Sequence, residues 1–301
     1  MSGVEAYAQA DWVDPEVQLA SGAHVQLGTS SLLPAVGGLA TEAGRPSSEF
    51  PAADREIIKR LAEEVAEIAS LPVQKQTINE WKRLNGLRHG KPLVLVYLTE
   101  SPLHEFETNG ELTPRSTNSF CRQIELELRM RLFQWQHARG DFVMEPVIYV
   151  PYASHDSGFG FTAQEDTVVT DPDSSIVGHR YHAQIRNEKD VEKIHSPTVV
   201  CDWEMTELNY QAARDLLGGV LTVEKRGMPG YQLSPIDELF VWMGIEEAFA
   251  CLVERPELFH MAMERLTAGH LRRVEQMTAM NLFTASFGNY KTCSGGLAYT
   301  D

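Results

Sequence analysis

Apolar residues recur along this chain with helical spacing in some stretches and in continuous runs in others. The first helical spacing begins after Asp54 and reaches Ile68, just before Pro72. Apolar side chains three or four residues apart share one face of a helix, and proline disrupts a helix interior. We therefore predict a helix over 54–68 with Asp54 as its cap, followed by a short helix around Trp81–Leu84.

Helical spacing returns several times farther along the chain. A long helix is predicted from about Ser116 to Gly140, and its inner face carries Phe120, Ile124, Leu128, Leu132 and Trp135. Shorter helices are predicted over 188–194, 204–217, 235–243 and 246–252. The last predicted helix begins at Pro256, because proline favours the first helical position. Its inner face is apolar except for His270.

Continuous apolar runs predict buried strands over 93–98, 142–150, 220–224 and 282–287, with a short strand over 181–185. Parallel strands that are covered on both faces have such runs. The recurring order of strand, loop and helix predicts an α/β fold with a parallel sheet. A polar loop over 151–180 is equally well interpreted as a lid or as an ordinary insertion.

The segment after the first strand decides between two α/β folds. A dinucleotide-binding fold needs a glycine fingerprint there, but Glu100-Ser101-Pro102 occupies the position. A (β/α)8 TIM-type barrel is therefore the better prediction, in partial or incomplete form because only four main strands are visible. We expect residues 1–50 to be a flexible extension and 51–301 to be the N-terminal portion of the barrel domain.

Charge and cysteine content narrow the functional classes. The net charge of −16 disfavours nucleic-acid binding, because such a surface repels phosphates. The four cysteines have no CxxC pairing, which fits a reduced, cytoplasmic setting. No apolar run reaches the roughly 18 residues that a membrane span needs. We therefore expect a small-molecule substrate, and neither nucleic acid nor a membrane as partner.

Candidate catalytic residues follow the predicted strands, where a parallel barrel places its site. Glu100 and His104 follow the first strand, and a histidine beside carboxylates suits acid–base chemistry. His182 is the third candidate, since it alternates with Tyr181 on a short strand. The alternative is that these residues belong to solvated loops. A metal held by His179 and His182 lacks a third ligand in the sequence, so no metal site is predicted.

Candidate substrate-binding residues are aromatic or carry an amide. Tyr149 and Tyr152 border the end of the second strand, where they suit stacking on a flat ligand or anchoring of the loop. Asn289 and Tyr290 follow the last strand, in the glycine-rich segment that ends the chain. Lys225-Arg226 is the only basic pair at a strand end.

Two further positions have ordinary structural interpretations. Asp202 and Glu204 form a carboxylate pair, of which one suits capping of the next helix. Cys293 has no adjacent histidine to activate it, which favours a small, uninvolved side chain.

Several segments together resemble the uroporphyrinogen decarboxylase-like superfamily from about residue 54 onward. The order and spacing of these segments carry the resemblance, which is found in Trp81–Asn85, Gly140–Pro146, Gly178–His182, Asp237–Gly244, Arg255–Leu258 and Ser294–Asp301. The resemblance implies a (β/α)8 barrel. It also implies either decarboxylation or corrinoid-dependent methyl transfer from a small methylated compound.

The chain departs from true uroporphyrinogen decarboxylases where those enzymes carry an arginine-rich segment. Residues 91–100 contain no arginine, and Glu100 repels a polycarboxylate. We therefore favour methyl transfer over decarboxylation as the expected activity, with a corrinoid carrier protein as partner. Zinc and a corrinoid are cofactors implied for the full-length family, but the chain has no His-x-Cys pair, and none is assigned to it. A non-catalytic half-barrel that pairs with itself, as in a homodimer, is the third hypothesis.

Overall fold

A computed structural model describes residues 49–96, 109–169, 177–231, 233–284, 288–291 and 296–301. The predicted extension over 1–50 therefore lies almost entirely outside the described residues. None of the described helices is long and apolar enough to cross a lipid bilayer.

The described residues of the amino-terminal part include the helices α1 (Ala52–Ala69), α2 (Pro72–Asn85) and α3 (Ser119–His137). The apolar face predicted for α1 packs against the predicted face of α3, and the contact includes Ile58, Leu61, Val65, Phe120, Ile124 and Leu128. Periodicity therefore located both helices. The short helix predicted over 81–84 was wrong in extent, because α2 begins at Pro72 in the position that proline favours.

Two buried carboxylates hold the loop that enters α3. Asp54 lies in the first turn of α1 rather than at its cap, and it accepts hydrogen bonds from the amides of Thr117 and Asn118 at 3.1 and 2.9 Å. Glu125 is fully buried and accepts bonds from the amides of Arg115 and Ser116 and from Arg129 Nε. Backbone amides that α3 cannot satisfy are thus satisfied by side chains.

One two-stranded sheet is parallel. It pairs β1 (Val147–Pro151) with β6 (Thr222–Arg226), and Ile148 lies opposite Val223. Helix α5 (Trp203–Leu217) and the amino-terminal helices share one apolar core with this pair. A parallel bridge from Met228 to Phe283 follows β6. The predicted direction is therefore confirmed for these two strands.

The predicted polar loop over 151–180 instead contains strands. β2 (Ala153–Asp156) pairs antiparallel with β5 (Val199–Asp202), and β3 (Glu165–Val169) pairs antiparallel with β4 (Val177–Tyr181). Strand β3 was not predicted from the sequence, because all five of its residues are exposed and it has no apolar face. The strand predicted over 181–185 was wrong, since β4 ends where that run begins.

The strand predicted over 93–98 is not formed by the residues that are described, 91–96. Val94 instead exchanges two bonds with Asp141, from the Asp141 amide to Val94 O and from the Val94 amide to Asp141 Oδ2, both at 2.7 Å. Of the strand predicted over 282–287, residues 282–284 supply only the bridge at Phe283, and 285–287 lie outside the described residues.

The carboxyl-terminal half is mainly helical. A short α4 (Glu188–Val191) precedes α5, and then α6 (Pro235–Met243), α7 (Ile245–Glu254) and α8 (Pro256–Ala279) pack on a second core. Gly244 joins α6 to α7 with a φ of 78°, a left-handed conformation that favours glycine. The described residues thus form a mixed α/β structure with three two-stranded sheets, one of them parallel, and without a closed barrel.

Glu125→Gln should weaken folding by roughly 1–3 kcal/mol, because it removes a charged acceptor from the amides of Arg115 and Ser116 and from Arg129. Burial raises the pKa of Glu125, but hydrogen bonds from Ser116, Arg115 and Arg129 outweigh it and lower the pKa. The carboxyl of an unfolded glutamate titrates near about pH 4.3, and the stabilisation from Glu125 is fully present above that pH. It is lost as the pH falls through the lower pKa that Glu125 has in the folded protein.

Urea unfolding at several pH values measures this effect. Glu125→Gln should show a smaller loss of stability in acid than the wild type does. Glu63→Gln is the matched control, because Glu63 is an exposed partner of Lys59 at 4.0 Å and should change stability by less than about 0.5 kcal/mol. Equal effects of the two substitutions would contradict the role assigned to Glu125.

Candidate active site

The parallel pair brings three of the predicted substrate-binding residues into one neighbourhood. Tyr149 lies in the middle of β1, and the buried guanidinium of Arg226, at the end of β6, stacks 4.2 Å from the centre of its ring. Tyr290 lies on another side of the same guanidinium, at 5.6 Å. Asn289 donates through Nδ2 to Val143 O at 2.9 Å, which fixes the segment that carries Tyr290. The structure thus brings these three residues together, and their role in substrate binding stays a prediction.

Glu145 and Tyr299 complete what we call the tyrosine–arginine cluster, formed by Glu145, Tyr149, Arg226, Tyr290 and Tyr299. Tyr299 Oη donates to Glu145 Oε1 at 2.6 Å, and Tyr149 Oη donates to Glu145 Oε2 at 3.4 Å. Asn85 on α2 binds the carbonyl of Tyr299 at 2.8 Å and so holds the end of the chain in place. Neither Glu145 nor Tyr299 was singled out from the sequence.

The buried surroundings keep the cluster's hydroxyls protonated. Burial, and secondly the charge of Glu145, raise the pKa of Tyr149 to about 12. The same two causes raise the pKa of Tyr299 still further. These tyrosines therefore act as hydrogen-bond donors at neutral pH, and Arg226 supplies a positive charge beside them.

The remaining predicted residues lie elsewhere or outside the described part. His182 is about half exposed, and its Nε2 lies 3.1 Å from Asp166 Oδ2 on the β3–β4 hairpin. Tyr152 packs its ring against Trp203 at 5.2 Å, and its amide donates to Arg226 O, which makes it an anchor of the strand ends. Glu100 and His104 lie outside the described residues.

A second group, which the sequence did not reveal, joins three separate elements. His270 on α8 is buried; its Nε2 lies 2.6 Å from Glu238 Oε2 on α6, and its Nδ1 lies 2.6 Å from the Tyr231 hydroxyl. We call Glu238, His270 and Tyr231 the histidine relay. The neutral imidazole can accept the Tyr231 proton at Nδ1 while donating from Nε2 to Glu238. The imidazolium can donate to both partners, so either protonation state is satisfied.

A buried ion pair borders the relay. Arg273, one turn after His270, donates to Asp156 Oδ1 at 2.8 Å and to the Tyr231 hydroxyl at 3.4 Å. The Phe159 ring lies against both, 4.6 Å from the His270 ring and 4.4 Å from the guanidinium. Gly269 makes this approach feasible, because a Cβ there would lie 2.9 Å from the Phe159 ring.

Burial raises the pKa of Tyr231, although Arg273 acts in the opposite direction. The Tyr231 hydroxyl is therefore protonated at neutral pH, and the Arg273 guanidinium beside it would stabilise the tyrosinate anion. A protonated hydroxyl beside a guanidinium can donate a proton, and the raised pKa makes Tyr231 a weaker acid than an ordinary tyrosine. One sequence signal pointed here: His270 is a titratable residue on an apolar helical face. The sequence could not identify the partners of His270, because Tyr231 and Glu238 are 39 and 32 residues away from it along the chain.

Tyr290 is the residue that connects the two groups. Its ring borders Arg226, and its hydroxyl lies 2.7 Å from the position that a Cβ on Gly230 would occupy. Tyr231 follows Gly230 directly, so the histidine relay and the tyrosine–arginine cluster are neighbours. Among the described residues, no group of three or more His, Cys, Asp or Glu side chains is placed to hold a metal ion. The described residues therefore include no donor set for the zinc that the sequence resemblance implies.

Tyr149→Phe should make the protein less sensitive to alkali. A tyrosine whose native pKa is raised contributes stability that is present below its ordinary pKa of about 10 and is lost as pH rises towards the native value. For Tyr149 that window runs from about 10 to about 12. Denaturant unfolding across this window should show a shallower decline for the variant. A decline as steep as that of the wild type would contradict the assignment.

Comparison with known proteins adds no family to this description. No family model, no curated protein and no solved structure matches the chain. The resemblance to the uroporphyrinogen decarboxylase-like superfamily therefore stays a prediction from sequence motifs, and functional inference depends on the site itself.

Proposed function

We propose that this chain is a decarboxylase-like enzyme that removes CO₂ from a small carboxylic acid and returns a proton to the product through Tyr231. The observation that carries the proposal is the relay Glu238–His270–Tyr231, which is centred on the buried His270 and has both of its hydrogen bonds at 2.6 Å. Within this proposal the sheet belongs to a (β/α)8 barrel. The parallel pair β1–β6 supports that architecture by placing its following segments at one end.

In the proposed reaction, the relay supplies the proton that takes the place of the departing carboxylate. The bond between carbon and the carboxylate breaks, its electron pair stays on carbon, and CO₂ leaves. The carbon takes the hydroxyl proton of Tyr231, and His270, protonated between Glu238 and Tyr231, returns a proton to the tyrosine oxygen. Arg273 lies 3.4 Å from that oxygen and stabilises negative charge that develops there. Solvent then restores the proton on His270.

Arg226 favours a carboxylate substrate. Guanidinium groups bind carboxylates through two parallel hydrogen bonds, and they do so most strongly where water is excluded. Arg226 is only 8% exposed and lies at the carboxyl end of a parallel strand. The absence of arginine in residues 91–100 argued against decarboxylation; a buried arginine contributed by another strand supports it.

Methyl transfer from a small methylated compound to a corrinoid carrier protein is the second candidate, and the sequence resemblance supports it. Such a transfer leaves an electron pair on the oxygen or nitrogen that loses the methyl group. That atom also needs a proton, which Tyr231 is placed to give. The two candidates therefore share the proton donor and differ in the group that leaves.

Tyr231→Phe should lower kcat by roughly 100- to 10,000-fold with little change in KM, because it removes the proton donor and leaves substrate binding intact. The assay supplies small mono- and dicarboxylic acids labelled at the carboxyl carbon and counts labelled CO₂. Parallel reactions supply methyl-labelled ethers and amines with reduced cobalamin. Label that moves to cobalamin without CO₂ release would favour the second candidate.

Tyr181→Phe is the matched control, because Tyr181 ends strand β4 and its ring stacks on His179 at 6.0 Å. It should leave kcat unchanged. His270→Gln should lower kcat, since Gln cannot carry the proton. A Tyr231→Phe enzyme that is as fast as the wild type would overturn the proposed function, whichever group leaves.

A further inference from the structure

Asp156, at the end of strand β2, forms an ion pair with Arg273, the cation beside the histidine relay. Its Oδ1 accepts hydrogen bonds from Arg273 Nη2 and from the Gly158 amide, both at 2.8 Å. The two side chains of the pair are 6% and 14% exposed. A carboxylate that is fixed by its own turn thus holds a guanidinium that lies on α8, 117 residues farther along the chain.

In the described part of the chain, Asp156 is the carboxylate that balances the charge of Arg273. Arg273 Nε is buried without a hydrogen-bond partner, and the bond from Nη1 to the Tyr231 hydroxyl is long, at 3.4 Å. The Phe159 ring covers the guanidinium at 4.4 Å but carries no net charge. A buried cation that loses its anion is strongly unfavourable, and a long arginine side chain can relieve this by moving its head into water.

We propose that Asp156 is a positioning residue that acts through Arg273 and keeps this cation beside the Tyr231 hydroxyl. Its effect on catalysis rests on the proposed function, in which Tyr231 gives the proton. Its structural effect, which is to fix the place of the guanidinium, depends on no reaction. The sequence did not indicate this role, because Asp156 lies in the segment that was interpreted as a polar loop.

The charged and titratable groups around Tyr231 come from three elements. His270 and Arg273 lie on α8, Glu238 lies on α6, and Asp156 ends β2. Burial raises the pKa of Tyr231, the hydrogen bond and charge of Arg273 lower it, and the charges of Glu238 and Asp156 raise it by less. Because Arg273 has the larger effect, loss of its guanidinium should outweigh loss of the Asp156 charge.

Chemical modification tests the structural effect. Phenylglyoxal reacts with accessible guanidinium groups, so it should spare Arg273 in the wild type and modify it in Asp156→Ala, where the side chain turns to solvent. The neighbouring Arg272 is the internal reference, because its side chain is 66% exposed and should react in both proteins. Peptide mass spectrometry measures both sites. Arg273 that stays protected in a folded Asp156→Ala protein would overturn the proposal.

Asp156→Asn guards against a variant that does not fold. The amide oxygen of asparagine can still accept from the Gly158 amide, so the turn keeps its bond, but the charge that holds Arg273 is lost. Circular dichroism establishes which variants are folded. In Asp156→Asn, Arg273 should become more reactive than in the wild type, and unchanged protection in this variant would also contradict the proposal.

The pKa of Tyr231 provides a second test that needs no substrate. Carbon NMR of tyrosine labelled at the hydroxyl-bearing carbon follows each ring, and Tyr231→Phe assigns the signal by its disappearance. Asp156→Ala should raise the pKa of Tyr231, because the cation leaves. In an Arg273→Met background the same substitution should not raise it, because no cation remains to be displaced. A pKa that falls in Asp156→Ala would show that the anion acts directly on Tyr231 and would overturn the proposal.

Asp156→Ala should lower kcat by roughly 100-fold with little change in KM, because charge that develops on Tyr231 loses its stabilising cation. Asp156→Asn should lose less, since its oxygen can still accept a bond from Arg273. Asp215→Ala is the matched control, because Asp215 forms an exposed ion pair with Arg55 and should leave kcat unchanged.

These measurements separate the positioning role from the proposed function. A wild type that releases no CO₂ and transfers no methyl group would contradict the proposed function, while the modification and titration results would still decide the role of Asp156. An active enzyme whose kcat is unchanged by Asp156→Ala would contradict the positioning role alone.

Discussion

The parallel contact between β1 and β6 is the interaction on which the rest of this structure depends. Ile148 and Val150 of β1 are completely buried, and helices α1 and α3 share the surrounding core with α5. Because the strands run in the same direction, the segments that follow them emerge at the same end. One of these segments carries Arg226, and five residues later it reaches Tyr231. The backbone of Tyr152 binds that of Arg226 and so keeps the two strand ends together.

Buried charge is used in two different ways in this protein. Asp54 and Glu125 accept hydrogen bonds from backbone amides, so these carboxylates complete the backbone bonding of the loop before α3. Glu238 instead binds a side chain, His270, which in turn binds Tyr231. Burying titratable groups is costly unless they are paired. This pairing joins side chains from α6, α8 and the segment that follows β6.

The tyrosine–arginine cluster and the histidine relay have complementary properties. In the cluster, two protonated tyrosines satisfy Glu145, and Arg226 supplies a positive charge in a place that water hardly reaches. In the relay, either protonation state of His270 has partners for both ring nitrogens. Tyr290 lies between the two groups, because its ring borders Arg226 and its hydroxyl approaches Gly230, the residue before Tyr231.

Apolar periodicity by itself determined where the long helices lie, because a row such as Ile58, Leu61 and Val65 has to face a core whatever that core is. The recurring order of strand, loop and helix predicted the direction of the central strand pair. The sequence alone did not predict the β3–β4 hairpin, whose exposed strand has no apolar face, or the irregular backbone of residues 93–96.

The candidate site divides in the same way. The sequence indicated that Tyr149, Asn289 and Tyr290 would lie near one another, because the ends of parallel strands meet at one edge of a sheet; their role in substrate binding stays a prediction. Tyr231, Glu238 and His270 could not, because nothing local in the sequence records which distant side chain will lie 2.6 Å from a histidine. Only the packing of α6 and α8 against the segment after β6 decides that, since hydrogen bonds between side chains depend on tertiary position and carry no periodic signal.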